Sequence, residues 1–61
     1  MDMNGKDLLK LLKKNGWKEV RVEGGHHIMR KGDKEISVPV HGSKSVPKGL
    51  LHSILKDAGL K

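Results

Sequence analysis

Glu23-Gly24-Gly25-His26-His27-Ile28-Met29-Arg30 is the stretch that decides how this chain folds. Gly24-Gly25 is a two-residue hairpin signal, because such turns need backbone angles that glycine adopts without strain. On its N-terminal side, Trp17 to Glu23 reads as a strand, with Val20 and Val22 alternating against Glu19, Arg21 and Glu23. On its C-terminal side, His26 to Lys31 reads as a second strand. Gly32-Asp33 is a further two-residue turn signal, and Lys34 to Val40 is a third strand, with Ile36, Val38 and Val40 alternating against Glu35, Ser37 and Pro39. The expected unit is a three-stranded antiparallel meander.

The two turns predict a register. The first sets Val22 opposite His27 and Val20 opposite Met29. The second sets Met29 opposite Ile36 and His27 opposite Val38. Val20, Val22, His27, Met29, Ile36 and Val38 then share one face, mostly apolar. Glu19, Arg21, Glu23, His26, Ile28, Arg30, Glu35, Ser37 and Pro39 share the other, mostly charged. Pro39 would fall in a non-hydrogen-bonded pair on a sheet edge, where a missing N–H is tolerated. A slip of one residue would exchange the two faces.

Further out, the pattern becomes helical. Asn4 is suited to cap a helix over residues 5 to 14, in which Leu8, Leu9, Leu11 and Leu12 form an apolar stripe. Asn15-Gly16 ends it. Beyond the third strand, His41 to Val46 reads as a loop. Ser45 is expected to cap a second helix, with Pro47 in its first turn. Leu50, Leu51, Ile54, Leu55 and Ala58 form its stripe, and Gly59 closes it. The fold class is therefore α+β: an α-β-β-β-α order with both helices on one face of the sheet.

Size and composition narrow the function. Sixty-one residues bound one small domain with little room for a cofactor cleft, so residues 1 to 61 are read as a single unit with no cofactor. There is no cysteine, which excludes disulfides and thiolate metal sites. No apolar run approaches the ~20 residues of a membrane span, so no membrane partner is expected. Met1-Asp2-Met3-Asn4 has no signal pattern, which makes a cytoplasmic location the default. Thirteen Lys and Arg against seven acids leave a net charge of +6, which favours a polyanionic or acidic partner over neutral ligands. A lysine-rich solvated surface is the plainer explanation of the same charge. Trp17 is the sole aromatic residue, so RNA binding here would rest on backbone charge rather than on base stacking.

The histidines carry the chemistry. Imidazole exchanges protons near neutral pH. RNA brings its own nucleophile, the 2′-hydroxyl beside the scissile phosphate, so one base and a few cations make a ribonuclease in a small fold. His26 on the charged face, with Arg21 and Arg30, meets that requirement. His41 shares the parity of Pro39 and would approach His26 if the strand continues; the pair would divide the base and acid roles. A surface histidine is the plainer reading of His26, and a hydrogen-bonded packing histidine that of His27. His52, beside the second helix's stripe, reads as structural or surface. A metal site has little support, because His26 and His27 point opposite ways and no carboxylate–histidine spacing recurs.

Four segments together resemble a known family. They are Leu8-Leu9 through Asn15-Gly16-Trp17, Arg21 with Gly24-Gly25-His26-His27, Val38-Pro39-Val40-His41, and Lys48-Gly49-Leu50 with Ile54-Leu55-Lys56-Asp57-Ala58-Gly59-Leu60. In order and spacing the chain resembles the HicA-type (YcfA-like) mRNA interferase toxins of prokaryotic toxin–antitoxin pairs, over nearly its whole length. The resemblance implies a double-stranded-RNA-binding-domain-like fold and cleavage of mRNA without a metal cofactor. It also implies a HicB-type antitoxin that binds the toxin and masks its active site. The chain is then expected to be a monomer when free and part of a hetero-oligomer with the antitoxin. The family's catalytic histidine follows a Gly-Ser or Gly-Gly pair, which is His26 here; in some members it comes one place later, which would be His27. Gly25 stands where serine is commoner, and Met29 where an aromatic residue is frequent. Arg21, Arg30, His41, Lys44 and Lys48 are the expected RNA contacts. A non-catalytic duplex-RNA binder and a module for an acidic protein partner are the rival readings.

Overall fold

A computed structural model describes residues 3–60. The expectation drawn from Met1-Asp2-Met3-Asn4 rests partly on residues outside that range. The order is α1 (Gly5–Lys14), β1 (Lys18–Glu23), β2 (His26–Lys31), β3 (Lys34–Pro39) and α2 (Lys48–Asp57). The strands form one antiparallel sheet in the order β1-β2-β3. This is the expected α-β-β-β-α arrangement. Among the described residues, no helix is long and apolar enough to cross a membrane.

α1 starts where Asn4 accepts a hydrogen bond from the Asp7 N–H at 2.8 Å. It buries Gly5, Leu8, Leu9 and Leu12. Both helices stop by the same device. At the end of α1, Gly16 takes φ +94° while Trp17 N–H donates to the Leu12 carbonyl and Gly16 N–H to that of Lys13. At the end of α2, Gly59 takes φ +76° while Leu60 N–H donates to Leu55 and Gly59 N–H to Lys56. The matching sequences, Leu12-Lys13-Lys14-Asn15-Gly16-Trp17 and Leu55-Lys56-Asp57-Ala58-Gly59-Leu60, supply a glycine for the left-handed position and an apolar residue on each side of the bond. Lys31 Nζ also donates to the Asn15 carbonyl at 2.9 Å, placing a cation at the negative end of α1.

The start of α2 departs from expectation. Ser45 does not cap it; Ser45 bridges Asn4, and Val46 N–H donates to the Met3 carbonyl at 2.8 Å. The helix begins at Lys48 behind Pro47, with no side-chain cap. That short bridge buries Val46 in the core, although the segment reads as a plain loop. Leu50, expected in the buried stripe, is 41% exposed. Ile54 carries the contact, with Leu51, Leu55 and Ala58 packed around it.

The core joins Leu8, Leu9 and Leu12 to Trp17, Met29, Ile36, Val38, Val46 and Ile54. The β2–β3 register is the expected one, with Met29 opposite Ile36 and His27 opposite Val38. β3 ends at Pro39 rather than Val40, but Val40 N–H still donates to the Gly25 carbonyl at 2.8 Å. Bonded and non-bonded pairs alternate, so Pro39 occupies the non-bonded pair with His26.

The β1–β2 register departs from expectation. Val22 does face His27, but Met29 faces Glu19, not Val20. A bulge between Glu19 and Arg21 absorbs Val20 as an extra residue. Val20 and Val22 are 46% and 52% exposed instead of buried, Val22 although its pairing with His27 is the expected one. Glu19 crosses to the helix side of the sheet. Ile28, on the helix-free side, is nonetheless buried. The Arg21–Glu35 pair passes from β1 to β3 over β2 beside it, and arginine stems cover apolar surface well.

Candidate active site

His26 and His41 come together. Their ring centroids lie 6.5 Å apart with planes at 82°. The backbone explains this. His26 pairs with Pro39 across the sheet, and the Val40–Gly25 bond extends the ladder one step past β3. His41 is thereby carried alongside the Gly24-Gly25 turn. Gly25 leaves the space for it: a Cβ there would lie 3.2 Å from His41 Cε1. Gly24 makes the turn itself, with φ +59°. Glycine thus serves two different ends at adjacent positions. Both histidines are exposed.

The expected cations are placed unevenly. Arg21 shares the helix-free face with His26, but two carboxylates hold it, Glu23 at 3.3 Å from Nε and Glu35 at 3.5 Å from Nη2. All three groups are well exposed, so these pairs orient Arg21 more than they stabilise the fold. Arg30 turns away from His26: its Nε donates to the Gly32 carbonyl at 3.0 Å, beside the opposite hairpin turn. Lys44 follows His41 closely, its N–H closing a turn onto the His41 carbonyl at 3.1 Å. Lys48 is the exposed first residue of α2.

His27 lies apart from this group, on the helix side. Its Nδ1 is hydrogen-bonded to Glu19 Oε1. That bond, with the positive charge of His27 and of Lys13 nearby, holds the Glu19 carboxyl below its ordinary value against the opposing effect of desolvation. Sequence reasoning missed Glu19, because alternation along β1 assigns it to the other face. A bulge leaves no mark in an alternating pattern of charged residues.

Among the described residues, no three His, Asp or Glu side chains gather at one point. A comparison with curated proteins finds no match. A family model described as the HicA toxin of bacterial toxin–antitoxin matches residues 5–60, from the first turn of α1 to the last residue of the α2 stop. The match thus takes in the Gly-Gly-His-His turn, His41 and both helices, and on it the chain belongs to the HicA family of toxins, each of which is paired with an antitoxin.

Proposed function

We propose that this toxin is an endoribonuclease that cleaves mRNA in the cytoplasm by general acid–base catalysis, with His26 as the base. The observation that carries the reading is the His26–His41 pair beside the Gly24-Gly25 turn, open to solvent and on the edge of the helix-free face. Two imidazoles at that separation can both reach one phosphodiester linkage. His26 takes the proton of the 2′-hydroxyl. The 2′-oxygen attacks phosphorus, and the bond to the 5′-oxygen breaks. His41 returns a proton to the departing 5′-oxygen. The products are a 2′,3′-cyclic phosphate and a 5′-hydroxyl, so no water and no outside redox partner enters this step.

The nucleophile belongs to the substrate, so these residues carry out the step without a metal cofactor. Lys44 and Lys48 hold flanking phosphates, and Arg21 joins them once a phosphate replaces its carboxylate partners. Arg30 contributes farther along the strand. His27 is the competing candidate for the base. An antitoxin of the HicB type silences the toxin by covering the His26–His41 edge.

The test is cleavage of a long single-stranded RNA in EDTA, with His26→Ala, His27→Ala and His41→Ala beside the wild type. We expect loss of about 10²–10⁴-fold for His26→Ala and His41→Ala, the usual worth of a positioned acid or base. Full activity in a folded His26→Ala protein overturns the assignment. Binding of duplex RNA with no product, free or on ribosomes, would favour a shape-reading RNA binder instead.

A further inference from the structure

We infer that Glu19 is a positioning residue for the ribonuclease site: by fixing His27 it locks the strand tip that presents His26. This rests on the reading above for its consequence, but its structural half stands alone. The bulge at Val20 interrupts β1–β2 pairing between Glu19 and Arg21. The same bulge moves Glu19 to the side on which His27 lies, and the Glu19–His27 bond then ties the two strands together across the interruption. Re-aiming one side chain is a common use of a bulge near a functional site.

The tip needs such a tie. His26 is the first residue of β2, and its pair with Pro39 is a non-hydrogen-bonded one, so no backbone bond joins those two residues. On the β3 side, the next backbone bond is Val40 to Gly25. On the β1 side, the ladder is broken three pairs along. His27 is the residue joined to His26 in the chain, with its ring on the opposite face. Holding that ring fixes the backbone from which His26 projects.

The charges around the pair agree with this role. Lys13, from α1, favours the ionised form of Glu19. On β3 the residue opposite His27 is Val38, which is apolar and offers Glu19 no competitor. The Nδ1 edge of the His27 ring is held by Glu19, which ties this residue of β2 to β1.

The experiment uses the full chain with ¹⁵N-labelled histidine, as wild type, Glu19→Gln and Glu19→Ala, alongside RNA cleavage by the same proteins and by His27→Ala. In the wild type, the neutral His27 ring should be the tautomer with its proton on Nδ1, facing Glu19. Glu19→Ala should release it to a mixture of tautomers and speed amide exchange at residues 24–27. In cleavage, kcat should fall on the order of tenfold in Glu19→Ala with KM unchanged, as expected for a misplaced reacting group. Glu19→Gln, which keeps an acceptor oxygen, should recover part of that loss. His27→Ala should match Glu19→Ala. Abolished cleavage in His27→Ala, with His26→Ala active, would overturn the inference by making His27 the base. An unchanged His27 ring in Glu19→Ala would overturn it too. If the wild type cleaves no RNA, the proposed function fails, while ring state and amide exchange still decide whether Glu19 fixes the tip.

Discussion

The two hairpins share β2 and use the same turn, with a glycine in the left-handed region at its first central position, Gly24 at φ +59° and Gly32 at φ +61°. They nevertheless differ in almost everything else. The β2–β3 hairpin keeps an unbroken register, and Ile36, Met29 and Val38 are buried beneath the helices. The β1–β2 hairpin has a bulge, exposes every β1 residue and carries, among the described residues, one side-chain contact between its strands, Glu19 with His27. The difference shows what sets a register. Where one face enters a core, slipping a strand would expose apolar groups, so alternation rules. Where neither face of a strand is buried, a bulge sacrifices little, and side-chain chemistry chooses the pairing.

That contrast can be tested by substitution. The largest effect should come from the buried face of the sheet: Met29→Ala removes a fully buried side chain and should lower stability by about 2–5 kcal/mol in urea unfolding. Retention of near-wild-type stability would mean that the sheet does not depend on this face. Gly5→Ala should follow. A Cβ at Gly5 would stand 2.6 Å from the Pro39 carbonyl and 2.8 Å from Val40 Cγ2, so α1 must shift away from the end of β3. Overpacking of this kind costs about 1–3 kcal/mol, more than alanine returns in helix propensity.

A pH series should give a smaller effect, confined to the irregular hairpin. The Glu19 carboxyl is lowered by His27, so its contribution is present above the unfolded carboxylate value and is lost as pH falls through the folded one. A stability difference between wild type and Glu19→Gln should therefore exist at pH 6 and vanish under more acidic conditions than an ordinary glutamate requires. A difference that persists below that window would assign the effect to another group. Smallest of all, Val22→Thr should change stability by less than about 0.5 kcal/mol, because Val22 is half exposed. A larger loss would show that the exposed edge of β1 is packed in solution.

Much of the site was legible before the fold was known. The parity of His41 with Pro39 anticipated its approach to His26, since both follow from one two-residue turn. Lys44 and Lys48 were legible only as charges, because loop and helix-end lysines have no periodic partner to place them. Arg30 was expected beside His26 and instead points to Gly32, since an arginine long enough to reach two sites takes the carbonyl nearest its own turn. The capping role assigned to Ser45 failed because the segment after Met3 needed a partner for its backbone, and Ser45 and Val46 supplied it.

By itself, the sequence determined the α-β-β-β-α order, both turns, both helix stops and the β2–β3 register. Each of these is a local matter of backbone angle, or of alternation against a buried face. The tertiary structure alone decided the bulge at Val20, the side on which Glu19 lies, the burial of Val46 and the exposure of Leu50. These depend on how two helices divide one small sheet between them. Two ten-residue helices leave β1 exposed along its whole length, so no buried face held that strand to strict alternation.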